Sequence, residues 1–354
     1  MTFIIAAAGT GGHVVPALSI ADALVARGIV PDAVSFFGGD RFEATAVPAA
    51  GYPFRGFPLA RLRRSPTPRN LAIPFVTGKT SREMAAAMSD AGASVVIAMS
   101  GYVTVPAALA ARRLGVPLIV HEQNSAPTLA SRFGSRLARF TLLGLPGPAE
   151  RLPRSVVVGN PLRPSLAAFD RSALRDRARD HYGLEAPGPV VGVIGGSLGA
   201  MVLNESVGAI AAMTRATVVH LTGAAAAGVP AETASPLPWV RRPYEPEMEY
   251  FYAAVDLVVC RAGAMTVSEL AATATPAILV PLERVGQLEN ARVLEKAGAG
   301  AIVRQADVAT LPARVTELLA APATLQDMSA AARRVALTNA AGDIADRLME
   351  IADG

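Results

Sequence analysis

Two stretches of this chain share one plan: a short apolar run, a glycine turn, then an alanine- and leucine-rich segment with helical spacing. The first runs from Phe3 through Gly9-Thr10-Gly11-Gly12-His13 to Arg27, and the second from Val190 through Gly195-Gly196-Ser197-Leu198-Gly199 to Met213. A buried strand that turns on glycine straight into a helix is the opening unit of a parallel α/β domain, so the repeat predicts two such domains. Further strands are expected at Val34–Phe37, Val95–Ala98, Leu118–His121, Phe140–Leu143 and Val156–Val158. A second series is expected at Thr217–Leu221, Val240–Arg242, Leu257–Cys260 and Ala277–Val280. Helical patterns such as Pro16–Arg27, Val105–Leu114, Met201–Met213 and Thr266–Ala272 lie between them, which is the alternation of a doubly wound sheet. The echo extends to Ser100-Gly101-Tyr102-Val103-Thr104 and Arg261-Ala262-Gly263-Ala264-Met265, each followed by a helix and a proline-led strand.

A length of 354 residues suffices for two full cores. The boundary is expected near Gly159-Asn160-Pro161, where two prolines punctuate the chain. This gives domains over 1–160 and 161–340, with a terminal helix over 341–354 that has no strand to cross to and can pack back on the first domain. Mean hydropathy is high at +0.36, yet no run reaches the roughly 18 apolar residues of a membrane span. No basic-then-apolar leader marks the N-terminus, so a secretory signal is not expected. A lone cysteine, Cys260, leaves no disulfide framework, and four scattered histidines offer no zinc spacing.

Charge is uneven. Residues 1–158 hold 16 Arg/Lys against 8 Asp/Glu, and the remainder 17 against 21. The first half therefore suits an anionic partner. Nucleic acid is disfavoured because aromatics are only 5% and none interleaves with a basic run. An anionic membrane surface remains. Arg61, Arg63, Arg64 and Arg69 precede Leu71, Ile73 and Phe75, an apolar patch ringed by positive charge that could dock there. The same residues would also make an ordinary helix with a solvated basic flank.

Several familiar motifs fail. Thr77-Gly78-Lys79-Thr80 ends like a phosphate-binding loop, but Ile73 replaces its first glycine. The Gly9-x-Gly11 turn has Val14 where a dinucleotide fingerprint has glycine. Gly195-x-Ser197-x-Gly199 fits a nucleophile elbow, but only Glu205 and His220 follow in the required order. What the glycine turns do offer is backbone N–H groups at helix starts, where phosphate binds. His13 adds a group that takes a proton near neutral pH. Glu269, one turn into its helix, could accept two ribose hydroxyls. Thr266 or Ser268 capping the helix beside an exposed glutamate would explain that stretch equally well.

The order of these pieces resembles the MurG family of N-acetylglucosaminyltransferases over nearly the whole chain. The resemblance rests on Thr10-Gly11-Gly12-His13 with Pro16-Ala17-Leu18, His121-Glu122-Gln123-Asn124, and Gly159-Asn160-Pro161 with Arg163. It continues through Gly195-Gly196-Ser197-x-Gly199-Ala200, then Cys260-Arg261-x-Gly263-Ala264-x-Thr266-Val267-x-Glu269, and Gln287-x-x-Asn290-Ala291. It implies a GT-B fold of two Rossmann-like domains facing across a cleft. It also implies inverting transfer of GlcNAc from UDP-GlcNAc to lipid I, giving lipid II for peptidoglycan. By the same resemblance, Ala264, Met265, Thr266, Val267 and Ser268 meet the diphosphate, Glu269 the ribose, and Gln287 the sugar. Arg163 and Ser197 make further donor contacts, and Glu245 meets uracil through its backbone. Thr10, Gly11, Gly12 and Asn124 belong to the acceptor side, with His13 as the base and no cofactor or metal required. The implied partners are UDP-GlcNAc, lipid I, an anionic membrane at its cytoplasmic face and proteins of a cell-wall synthesis complex. Leu198 stands where the family usually has glutamine, and Glu283 and Gly286 also depart from it. Other readings are a related GT-B enzyme with another acceptor, a UDP-GlcNAc 2-epimerase, or a non-catalytic UDP-sugar-binding protein.

Overall fold

The computed structural model describes residues 1–60, 71–185, 187–224, 226, 229 and 237–353, which form two compact units. The first comprises Met1–Arg163 with Asn339–Gly354, the second Pro164–Thr338. Arg61, Arg63, Arg64 and Arg69 lie outside the described residues.

Unit 1 runs β1 (Thr2–Ala6), α1 (Gly11–Val25), β2 (Val34–Gly38), α2 (Phe42–Ala49), β3 (Phe54–Gly56) and α3 (Ile73–Asp90). It continues β4 (Ala93–Ala98), α4 (Thr104–Leu114), β5 (Leu118–Glu122), α5 (Leu129–Leu137), β6 (Phe140–Leu143) and β7 (Ser155–Val157). All seven strands are parallel, in the order β3-β2-β1-β4-β5-β6-β7. The sheet is covered on both faces, so β1 is apolar from Phe3 to Ala6 and its alternation sorts side chains between two cores. Phe3, Ile5 and Ala7 join one core with Val14, Ile20 and Leu24 of α1. Ile4, Ala6 and Ala8 join the other with Met84 and Met88 of α3 and Ala107 and Ala111 of α4.

Unit 2 runs α6 (Pro164–Ala167), α7 (Arg171–Tyr182), β8 (Val190–Ile194), α8 (Met201–Met213), β9 (Thr217–Leu221), β10 (Trp239–Arg242) and α9 (Met248–Ala254). It continues β11 (Leu257–Cys260), α10 (Ala264–Ala272), β12 (Ala277–Leu279), α11 (Gln287–Ala297), β13 (Gly300–Ile302), α12 (Leu311–Leu319) and α13 (Pro322–Arg334). Its six parallel strands follow β10-β9-β8-β11-β12-β13. Gly192 sits inside β8 because a Cβ there would lie 2.6 Å from the Phe251 ring of α9. Arg171 and Arg175 of α7 donate to the Val255, Thr273 and Ala253 carbonyls, and Arg175 also pairs with Asp256 at 2.8 Å. Burial and the neighbouring Arg175 lower the Arg171 pKa to about 10, which keeps it charged at neutral pH.

The expected strands all form, with ends shifted by a residue or two. The sequence reading lacks β3 and β13, which are three-residue edge strands too short to show a period. Thr77–Thr80 lies within α3, with the Thr80 hydroxyl donating to the Pro58 carbonyl. It makes no phosphate loop.

The last helix, α14 (Ala340–Asp353), packs on α1 in unit 1. Ile344, Ala345 and Leu348 are fully buried in its core, and Arg27 pairs with Asp346. Replacing Leu348 with alanine is expected to destabilise unit 1 by about 2–5 kcal/mol through the lost methylenes and the cavity left behind. Urea unfolding of the two proteins measures it. An unchanged midpoint would show that α14 contributes no core.

Candidate active site

Each sheet reverses direction of winding at one place, between β1 and β4 in unit 1 and between β8 and β11 in unit 2. Ligands of open α/β sheets bind at such switch points, outside the carboxyl ends of the strands. The loops there are the glycine turns. α1, α8 and α10 begin at Thr10, Ala200 and Gly263 with no side-chain cap and no acidic residue in the first turn. α5 is capped by Thr128 and α7 by Asp170, whereas α3, α4, α12 and α13 also start uncapped, so it is the place at the switch point, joined to glycine, that sets these three apart. Uncapped first turns leave amide donors and the positive dipole end for a ligand. The N-cap of α10 is Gly263, which has no side chain to cap the helix.

In unit 1, His13 is partly exposed, with Nδ1 enclosed and without a hydrogen-bond partner among the described residues. Its ring runs alongside Gly101, where a Cβ would come within 3.6 Å of Nε2. Burial lowers its pKa below 6.5, and the Glu122 and Glu43 carboxylates pull the other way. Glu122, fully buried at the end of β5, organises the next loop. Its Oε1 accepts from the Asn124 N–H and Nδ2 at 3.0 and 3.1 Å, and its Oε2 from the Thr128 N–H at 2.9 Å. Ser100, buried with a positive φ of 53°, also donates to Glu122. Thr10 and the first turn of α1, which holds Gly11, Gly12 and His13, thus lie with the Asn124 loop at the carboxyl edge of one sheet. His121 donates from Nε2 to the Gly159 carbonyl at 3.1 Å, which ties the β5 loop to the segment after β7. Arg163 is half-buried at the end of this unit.

The sequence reading missed Glu43. Its Oε2 accepts from the Gly9 N–H and its Oε1 from the Gly39 N–H, both at 2.9 Å, with the side chain fully buried. The detectable signal was a glutamate in the first turn of a helix after a double glycine. Gly38 lets it in, since a Cβ there would sit 2.8 Å from Glu43 Cγ.

In unit 2, the turn after β8 is pressed onto the loop after β9. Gly199 has φ of +79°, and a Cβ on it would lie 2.4 Å from the Thr222 carbonyl oxygen. Ser197 and Leu198 project outward, Leu198 being 73% exposed. Asn204 secures α8, donating to the Thr222 carbonyl and accepting from His220 at 2.9 Å. The start of α10 is held from behind: Asn290 of α11 donates to the Ala262 carbonyl and Arg261 to that of Val280. Glu269 is half-buried rather than exposed, and accepts from the buried Tyr252 hydroxyl at 2.8 Å. Burial beside that carboxylate raises the Tyr252 pKa, so the hydroxyl stays a donor. Gln287 accepts from the Leu282 N–H with Oε1, which folds the loop between β12 and α11.

Glu245 differs most from expectation. Its side chain matters, because it is almost fully buried and accepts from Tyr182, His181, Arg242 and the Glu247 N–H. Burial raises its pKa, but the hydrogen bonds from Tyr182, His181 and Glu247 outweigh this and hold it below the ordinary value. The carboxylate therefore fixes the loop after β10 in shape.

Two parallel sheets, each with a glycine loop at its switch point, define a protein of two doubly wound α/β units. The family models for the N-terminal and C-terminal domains of glycosyltransferase family 28 match residues 3–142 and 190–348. A UDP-N-acetylglucosamine–N-acetylmuramyl-(pentapeptide) pyrophosphoryl-undecaprenol N-acetylglucosamine transferase of Rhodococcus jostii is 38% identical, over 99% of this chain and 96% of its own. A relative with the same name from Mycobacterium bovis is 38% identical over 100% and 90%. Among solved structures, MurG of Acinetobacter baumannii matches with a TM-score of 0.78 and 28% identity, over 99% of this chain and all of that one. The glycotransferase of kitacinnamycin shares the fold, with a TM-score of 0.73 at 18% identity, over 99% of this chain and 98% of that one. The chain belongs to glycosyltransferase family 28 and, within it, to the MurG family.

Burial lowers the pKa of both His121 and His220 to about 4. In the unfolded chain both would titrate near 6.5, so between about pH 6.5 and 4 the unfolded state binds more protons. Stability is expected to fall as pH drops through that window and to be unaffected by these groups above it. Unfolding at pH 8 and pH 5, with imidazole resonances followed by NMR, tests this. Titration of either ring near 6.5 would contradict it.

Proposed function

We propose that this enzyme transfers N-acetylglucosamine from UDP-N-acetylglucosamine to the 4-hydroxyl of the N-acetylmuramyl unit of undecaprenyl-diphosphate-linked muramyl-pentapeptide. The observation that carries the reading is the set of uncapped, acid-free helix starts at both switch points, joined to full-length similarity to relatives named for this reaction. In the transfer, the acceptor oxygen bonds to the anomeric carbon as the bond to the UDP oxygen breaks, with inversion. The acceptor's proton goes to His13, whose lowered pKa keeps the imidazole neutral and able to receive it. Charge building on the leaving diphosphate is met by the amides of residues 264–268 and by Arg163. Glu269, oriented by Tyr252, takes the ribose hydroxyls. Ser197 and Gln287 contact the donor through the loops they sit on, and the loop held by Glu245 receives the uracil. Thr10, Gly11, Gly12 and Asn124 receive the acceptor.

UDP release with a soluble short-chain lipid I analogue separates the parts. His13→Ala should lower turnover by about 10²–10⁴-fold with donor affinity retained. Glu269→Ala should weaken donor binding by about 1.5–3 kcal/mol in calorimetry, with Glu269→Gln, which still accepts from Tyr252, as its control. Acceptor-independent consumption of UDP-N-acetylglucosamine would favour an epimerase instead.

The lipid-linked acceptor calls for a membrane surface, and the reading places the protein peripherally at the cytoplasmic face. Among the described residues no helix is long and apolar enough to cross a bilayer. Leu71 and Phe75 are 82% and 88% exposed at the start of α3, with Ile73 half-buried between them. Helices α3, α4 and α5 lie side by side on one face of the sheet. Each runs back from the carboxyl edge, as parallel connections require. The start of α5 adds exposed Leu129 and Phe133 beside Arg132 and Arg136. Binding to vesicles containing anionic lipid should weaken about tenfold or more in Leu71→Ser/Phe75→Ser, given about 1.5–3 kcal/mol per large apolar side chain buried. Equal binding by parent and variant at low salt would move the docking surface elsewhere.

A further inference from the structure

The glycine turn that carries His13 is held by a side chain from another element. Glu43 enters from the first turn of α2, where the helix dipole favours a negative charge. It spans two loops, accepting from Gly9 after β1 and Gly39 after β2. Gly9 has φ of +117°, so its N–H is aimed by a backbone shape that only glycine takes readily. No water is needed to satisfy that amide, and the carboxylate is fully buried. A buried charge with just two backbone donors is costly for loop bracing alone, since a neutral acceptor would satisfy the same amides.

We propose that Glu43 is a positioning residue for the transfer, holding the His13 loop and, together with Glu122, supplying the negative charge that stabilises the imidazolium formed when His13 takes the acceptor's proton. The inference rests on the reading of His13 as the base. Among the described residues, the titratable groups around that ring are Glu43 from α2, Glu122 and His121 from β5, and Tyr102, which packs against Gly9. The two carboxylates favour the protonated ring, and burial opposes it. His121, buried with a pKa of about 4, is neutral at working pH and contributes no competing charge. Before transfer the ring is neutral. After it, a positive ring feels the field of the two carboxylates, so the interaction strengthens as the proton moves.

The test measures kcat against pH, by UDP release with the soluble acceptor analogue, for the parent, Glu43→Gln, Glu43→Asp and Glu43→Ala. Each is also made in a His13→Gln background. Loss of the charge in Glu43→Gln should lower the His13 pKa, move the acid limb of kcat to lower pH, and reduce the plateau about 10–100-fold, less than loss of the base itself. Glu43→Asp, which keeps the charge, should leave the acid limb near the parent's. Donor affinity in calorimetry should be unchanged throughout, and urea unfolding of each variant reports that unit 1 is folded. In the His13→Gln background, Glu43→Gln should cost no more than about twofold, because coupled residues are not additive. An unmoved acid limb, a rise in KM at constant kcat, or full additivity with His13→Gln would overturn the proposal and leave Glu43 as a structural brace. Near-parent turnover of His13→Gln alone would instead remove the base reading, and this inference with it.

Discussion

Backbone amides at the carboxyl edge of a parallel sheet can hold a diphosphate only if their loops stay put, and loops rich in glycine have no side chains of their own to fix them. In this protein buried polar side chains from neighbouring elements do the fixing. Glu43 and Glu122 grip the loops of unit 1, and Asn204, Glu245 and Asn290 those of unit 2. Each is almost fully buried and each bonds to backbone. The cost of burying them is offset by hydrogen bonds to the backbone, and the gain is a loop held in one shape.

This arrangement explains why the two units look alike yet treat charge differently. In unit 1 the braces near the turn are carboxylates, whose charge favours a positive His13 ring against the burial that lowers its pKa. In unit 2 the braces nearest the α10 start are the amide of Asn290 and the guanidinium of Arg261. That suits a site whose ligand brings the negative charge. Glu269 is the exception there, and it stands a turn further along the helix, where hydroxyls rather than phosphate would meet it.

Much of the architecture was legible because parallel strands buried on both faces read as unbroken apolar runs, as in Phe3–Ala7 and Val190–Ile194. The glycine turns were legible too, since Gly199 and Gly9 occupy backbone shapes other residues avoid. The edge strands β3 and β13 were not, because three residues carry no period. Glu43 was invisible for another reason: one acidic residue in a helix's first turn is ordinary, and its meaning comes from Gly9, far off in the chain. Glu245 was expected only to meet uracil through its backbone, and no spacing showed that His181, Tyr182 and Arg242 converge on its carboxylate from α7 and β10.

By itself, then, the sequence determined what local chemistry can write: strand and helix periods, glycine where φ must be positive, and helix starts after the turns. Tertiary structure decided which distant groups meet. It put α14 against α1, Glu43 on the Gly9 amide and Tyr252 on Glu269, because those pairings depend on how sheets stack their helices and not on any spacing along the chain. It also set the protonation of the buried imidazoles, since burial depends on what surrounds a ring once the chain has folded.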